Sequence, residues 1–251
     1  MNAIARSADA EISGGANIRS SGRRLNGSVV QKIGRDIVSG YYPPGSILYG
    51  EVVFAQELDV SRSAYRESLR VLSAKGLIES RPKAGTRVLP RECWNVLDPD
   101  VLEWAFTGKP DFGFIRDIFE LRGLIEPAAA GLAAQRRSRE DVQALRRSID
   151  AMRGHTLASE PGRHADRDFH QTILKATGNG ALMVLTASVG AAVRWTTQFK
   201  QQARTLPRNA IPEHVEVCEA IAARDSRRAS ESMNRLIEQA LEDTRNAVEA
   251  L

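Results

Sequence analysis

LDVSRSAYRESLRVLSAKG, residues 58–76, is the stretch on which the fold turns. Asp59 and Val60 read as a tight turn, and Ser61 stands where a helix N-cap is favoured. In the helix that follows, Tyr65, Leu69 and Leu72 recur at helical spacing and predict a buried stripe. Arg62, Arg66 and Arg70 repeat every fourth residue on another face. Gly76 supplies a left-handed stop.

The flanks complete a unit. Upstream, SVVQKIGRDIVSG (28–40) sets Val29, Val30, Ile33 and Ile37 on one helical face and ends at Gly40. Pro43 and Pro44 in YYPPG force a turn. SILYGEV then predicts a short strand running into a second helix, about Glu51–Leu58, with Phe54 and Leu58 inward. Downstream, LIES and TRVL predict two short strands around the basic turn RPKAG, which holds Pro82 and Gly85. Three helices followed by a β-wing is the order of a winged helix-turn-helix, placed at 25–90 after a flexible tail at 1–24.

Three arginines along one helix are ordinarily a solvated face. Here the tight turn, the Ser-Arg start and the basic wing favour DNA instead. Arg62 and Arg66 are assigned to the groove, and Arg70, deeper in the helix, to a phosphate or the open surface. Ser61, Ser63, Lys83 and the Gly85 backbone are candidate phosphate contacts. Charge agrees in sign: residues 1–90 hold 13 Lys/Arg against 8 Asp/Glu, whereas 91–251 hold 22 against 23.

Other classes find little support. No apolar run approaches the ~18 residues of a membrane span, and the N-terminus lacks a signal-peptide core. Cys93 and Cys218 form neither a disulfide framework nor a CxxC pair, so a cytoplasmic protein is the default. HExxH, GxSxG, a P-loop and a dinucleotide fingerprint are all missing, which argues against an enzyme, a metal-dependent one included.

Residues 91–110 read as a linker with one short helix, opened by Asp98-Pro99 and carrying Val101, Leu102 and Phe106. From 111 to 251 every signal is helical, predicting an antiparallel bundle of about 140 residues. A long helix, about Phe112–Arg136, has Phe114, Ile118, Leu121, Ile125 and Leu132 on one side and Pro127 as a kink. Ser138 and Asp141 form a capping box for the next helix. GHTLASEPG predicts a loop before a helix at about Arg163–Ala176, Asn179 starts a single helix to about Arg204, Pro212 opens another, and Asp225 or Ser226 caps the last. The fold class is therefore mainly α.

ADRDFH (165–170) puts Asp166 and His170 four apart, on one helical face. Such a pair can ligate a metal, transfer a proton or make an ordinary buried hydrogen bond, and the spacing alone leaves all three open.

The run IVSGYYPPGSIL…AQELDVSRSAYRESLRVLSAKGLIESRPKAGTRV resembles the DNA-binding head of GntR-superfamily transcription regulators over about 65 residues. Its second helix carries Val52 where many members have a DNA-contacting arginine. The bundle resembles the FCD effector domain of the FadR branch: LRGLIEPAAAGLAA with Arg122 and Glu126, ADRDFHQTILKATGN with Asp166 and His170, and EHVEVCEAIAARD with His214. The resemblance implies a divalent metal such as zinc held by Asp166, His170 and His214, or a metal-free polar cluster binding the effector directly. It also implies a fourth histidine 22 residues past His214, where this chain has Leu236. WNVLDPDVLEW is similar to a subgroup that responds to galactonate, so a sugar acid is the implied effector; lactate or a uronate metabolite is the alternative. Such a ligand needs a cation for its carboxylate, with Arg122 the leading candidate and Arg194 the second. The resemblance further implies a homodimeric repressor released from a palindromic double-stranded operator by its acid.

Overall fold

The computed structural model of the chain describes residues 29–48, 50–81, 84–107, 111–201 and 208–249. The tail at 1–24, Lys83 and the side chain of Val52 lie outside what it describes. The chain divides into two compact units, Met1–Asn95 and Val96–Leu251.

In the first unit, helix α1 runs through 29–38. Strand β1 (Ile47–Leu48), α2 (Glu51–Glu57), α3 (Arg62–Ala74), β2 (Ile78–Arg81) and β3 (Gly85–Val88) follow. The three strands form an antiparallel sheet in the order β1-β3-β2, with Ile78 opposite Val88 and Ile47 opposite Arg87. Val29, Ile33, Ile37, Phe54, Tyr65, Leu72, Leu77, Ile78 and Val88 are buried together as the apolar residues of these short elements. Asp59 takes φ 51°, closing the turn between α2 and α3. Ser61 then caps α3 by accepting the Ala64 N–H at 3.2 Å. At Gly76, with φ +73°, an added Cβ would lie 2.2 Å from the Cys93 carbonyl oxygen, so only glycine fits the crossing.

The stripe on α3 differs from the sequence pattern. Tyr65, Ser68 and Leu72 are the buried residues, while Leu69 is only half-buried. The Ser68 hydroxyl donates to the Ala64 carbonyl at 3.0 Å, which satisfies it inside the helix and lets a polar residue face inward.

The second unit is helical throughout its described residues: α4 (Pro99–Phe106), α5 (Phe112–Arg136), α6 (Arg139–His155), α7 (Glu160–Ala176), α8 (Gly180–Val184), α9 (Thr186–Gln201), α10 (Ile211–Ala222) and α11 (Ser226–Glu249). Asp98 caps α4, which buries Val101, Leu102, Trp104 and Phe106. The capping box of Ser138 and Asp141 forms with both bonds present. Asp225 caps the α11 start by accepting the Arg228 N–H at 3.0 Å.

Three expectations change. On α5 the buried face is Ile115, Ile118, Phe119, Arg122, Glu126, Ala129, Ala130 and Ala133; Leu121, Ile125 and Leu132 are half-buried at its edge. The alanines and Gly131 let α11 approach closely, with the Ser226 hydroxyl donating to the Gly131 carbonyl at 2.8 Å. In the C-terminal half of α5, close backbone contact thus selects the inner face, while Ile115, Ile118 and Phe119 fill it in the first half. Helix α7 starts at Glu160, earlier than expected, because Ser159 accepts the Gly162 N–H at 3.2 Å and Pro161 is tolerated in a first turn. The single helix expected from Asn179 is instead two. Asn179 caps α8, but the Leu185 N–H bonds back to Leu182 O at 3.1 Å, a tightened turn that redirects the chain into α9. No helix of the described residues is long and apolar enough to cross a membrane.

Candidate functional site

Two regions carry chemistry, one on each unit. On α3, Arg62, Arg66 and Arg70 are all exposed. Arg70 is held by Glu67 at 3.3 Å, so its charge is partly matched within its own helix. The Ser63 hydroxyl lies 3.0 Å from that of Ser61, whose lone pair already caps the helix. Gly85, with φ +82°, opens β3 opposite Arg81 and is exposed. The helix N-terminus, with its free N–H groups, and the arginine row give this unit a face suited to phosphates and base edges.

The second region is buried. Asp166 and His170 come from α7 and His214 from α10, and their ligand atoms all lie within 4.8 Å of one another. Arg122 and Glu126 face them from α5, Thr197 and Lys200 from α9, and all seven side chains are buried. Arg122 Nε donates to Glu126 Oε1 at 2.6 Å, and its guanidinium rests over the Phe119 ring. Glu126 Oε2 in turn accepts from His170 Nδ1. His214 Nδ1 donates to the Ala210 carbonyl at 2.7 Å. Thr197 Oγ1 donates to Asp166 Oδ2 at 2.9 Å.

These outer bonds fix the imidazoles. A carbonyl oxygen can only accept, so the His214 proton sits on Nδ1, and the Glu126 carboxylate likewise draws the His170 proton to Nδ1. Both Nε2 atoms then turn toward Asp166 Oδ1, at 3.0 Å for His214 and 3.6 Å for His170. A neutral imidazole would point a lone pair at a carboxylate oxygen there. Positive charge resolves that contact, either as a cation shared by the three atoms or as a second proton on the rings. The donor set and its outer-shell bonds therefore fit a divalent metal.

Electrostatics runs the same way. Burial opposes ionisation of Asp166, yet the His214 hydrogen bond and the charges around it hold the carboxyl well below its usual range. Glu126 is lowered to about 2; burial again opposes, and Arg122 and His170 outweigh it. Lys200 is pushed down to about 8, chiefly by burial, with Asp166 and Asp243 acting to raise it and Arg122 and Arg208 to lower it. Asp243, from α11, meets Arg208 Nε at 3.3 Å.

The position expected to hold a histidine, Leu236, is buried in the apolar core beside Met233 and Ile237, so α11 supplies no nitrogen ligand there. Arg194 is partly exposed, stacked over Trp195 and 3.9 Å from Glu160, and none of these partners belongs to the cluster. Glu126, Thr197 and Lys200 are the members that sequence reasoning did not assign a role. The Arg-x-x-x-Glu spacing signalled Glu126, and WTTQFK placed Thr196, Thr197 and Lys200 on one face of a helix that is otherwise largely small and apolar.

A winged helix-turn-helix with an arginine row, joined to a helical bundle with a buried acid–imidazole cluster, defines a DNA-binding regulator that carries a ligand-sensing domain. The chain belongs to the GntR family of bacterial regulatory proteins and bears an FCD domain: residues 25–88 match the former and 117–239 the latter. It is 32% identical over 206 residues to the "Galactonate operon transcriptional repressor" of Escherichia coli K12, covering 81% of this chain and 90% of that one. It is 28% identical to the regulator LutR of Bacillus subtilis, over 78% of this chain and 90% of the other. The solved structure of Lar, which controls expression of the Listeria monocytogenes agr system, superposes with a TM-score of 0.65 at 16% identity, covering 88% of this chain and 97% of that chain. That likeness concerns the fold. The chain is a transcription regulator and not an enzyme, as its relatives are.

Proposed function

We propose that this chain is a cytoplasmic, homodimeric repressor that binds a palindromic operator through Ser61, Arg62, Ser63, Arg66, Arg70, Lys83 and Gly85, and leaves it when a small hydroxy acid enters the bundle. The observation that carries the sensing half is the convergence of two imidazole Nε2 atoms on Asp166 Oδ1 beside buried cations. Asp166, His170 and His214 would hold a divalent metal such as zinc, which when bound supplies fixed positive charge for a carboxylate. Glu126 and the Ala210 carbonyl orient the two rings, and Thr197 holds the second oxygen of Asp166. The relative named for the galactonate operon supports a hexonate as the acid. Lactate and uronate metabolites are the competing acids. A metal-free cluster is the second reading, favoured by Leu236 in place of a fourth ligand.

Gel shifts on the neighbouring promoter, with galactonate, lactate and glucuronate, test the reading. One of these acids should release wild-type protein, and a chelator should weaken that release if a metal takes part. His214→Ala should keep the operator and lose the response, whereas Arg66→Ala should weaken operator binding by about 1–3 kcal/mol and keep acid-induced thermal stabilisation. Release by none of the acids would remove the hydroxy-acid sensor.

A further inference from the structure

Among the described residues of the bundle, the large apolar side chains left exposed are Leu124, Met183 and Val184, at 77%, 46% and 78%. They fall in one neighbourhood. Leu121 and Ile125 of α5 line a small apolar cavity with Leu185 and Ser188, so α5 and the α8–α9 junction lie side by side. Met183 and Val184 immediately precede Leu185. Single exposed apolar residues are ordinary on a protein surface, but a cluster of them marks a contact site. Leu124 stands in an outward row of α5 with Glu120, Ala128 and Gln135, all exposed. Further along that row an open groove of about 580 Å3 runs between α5 and α11, lined by Pro127, Ala128, Gly131, Leu132 and Gln135 of the one and Arg227 of the other. Leu124 and Gly131 are two turns apart, about 10 Å along the axis. A projecting leucine and a groove on one helix are self-complementary: a two-fold axis beside Pro127 and Ala128 carries each Leu124 into the groove of the other copy.

Charge selects the direction. At the N-terminal end of the row Asp117 and Glu120 share the single Arg116, which leaves a net negative charge. At the C-terminal end Arg136, Arg137 and Arg224 donate to the carbonyls of Thr177, Ala222 and Gln135, bonds that leave their positive charge unmatched. Antiparallel α5 helices bring these opposite ends together and oppose their macrodipoles, whereas parallel ones set like charge against like. We propose that this face of α5, with α8 beside it, is where a second copy of the chain binds, the two α5 helices antiparallel and Leu124 of each seated in the groove of the other. The inference rests on the homodimer of the reading above and gives it a surface. Arg122 and Glu126 lie on the buried side of the same turns, so the helix that meets the partner also carries two members of the cluster.

Sedimentation equilibrium of the full chain reads the dimer directly. Leu124→Arg puts two unpaired guanidiniums into the contact and should raise the dimer dissociation constant by at least roughly a hundredfold. Helical circular dichroism should stay as in wild type, because Leu124 is exposed and adds little to the bundle's own core. Ala128→Cys reads the register with a change small enough to spare the fold. It is made in a Cys93→Ser background, since Cys93 is exposed and Cys218 buried. A residue beside the two-fold axis faces its own copy, so mild oxidation should yield a covalent dimer. Arg153→Cys, on the exposed surface of α6 and in the same background, should not. A wild-type dimer that Leu124→Arg leaves at full affinity, or that cross-links through Arg153→Cys and not through Ala128→Cys, overturns the assignment. A wild-type chain that sediments as a monomer overturns the homodimer itself, an outcome distinct from the others because it appears before any substitution is made.

Discussion

Glu126 bears more of the cluster than its apolar surroundings suggest. One oxygen accepts from Arg122 and the other from His170, so a single carboxylate neutralises a buried guanidinium and fixes an imidazole tautomer. Its pKa falls from 4.5 to about 2 on folding. A carboxyl depressed in this way contributes stability that is fully present above about pH 4.5 and is lost as pH falls toward 2. Integrated over that interval, the contribution is on the order of 3 kcal/mol, and Asp166 adds to it with the same sign. Glu126→Gln should therefore unfold at lower urea at pH 7, by about 3–5 kcal/mol, because Arg122 is left without its counter-charge. The variant should also lose less than wild type between pH 5 and pH 3. Equal urea midpoints at pH 7 would show that the pair contributes nothing net. The sequence exposed Asp166 and His170 through their helical spacing, but Lys200 and Thr197 reach the cluster from a helix whose contact with Asp166 spans 31 residues. Such a long-range partner leaves no local periodicity to read.

At the scale of elements, legibility follows the caps. Ser61, Asp98, Ser138 and Asn179 each mark a helix start by a side-chain bond made within three residues, and each was readable. Leu185 has no such mark: neither glycine nor proline stands there, and the turn between α8 and α9 is decided by tertiary packing. The α5 stripe was legible at Ile118 but not beyond it, since past Glu126 the small residues Ala129, Ala130, Gly131, Ala133 and Ala134, and not Leu132, form the buried face. Gly162 shows how tightly one junction is built. An added Cβ would lie 1.7 Å from the Thr156 carbonyl oxygen, and Thr156 itself holds φ 61° in the turn leading to α7. Backbone cannot yield as a flexible side chain can, so Gly162→Ala should cost at least about 1–3 kcal/mol. Because the same first turn leads into Asp166, the variant should also show a smaller acid-induced thermal shift. Calorimetry with and without galactonate measures both, and an unchanged melting temperature would mean that 156–159 moves aside without cost.

For the whole molecule, the proposed function requires that a ligand buried in the bundle alter binding to DNA. A single winged head presents one recognition helix, and one arginine row reads only one half-site. In the proposed dimer a ligand in the bundle would act by favouring one arrangement of two heads over another. Differential binding of a few kcal/mol suffices for that. The proposed dimer makes a geometric demand: its heads must meet two half-sites on the same face of the duplex. Inserting about five base pairs between the half-sites, roughly half a helical turn, should put them on opposite faces. Affinity should then fall toward that of an isolated half-site, and the residual binding should no longer respond to the acid. Inserting about ten base pairs should restore part of both, since the facing returns while the distance grows. Fluorescence anisotropy on the footprinted operator and these two insertions decides the point. Equal affinity and equal acid response on all three duplexes would mean that each head binds alone, and that the acid weakens the head itself and not its partnership.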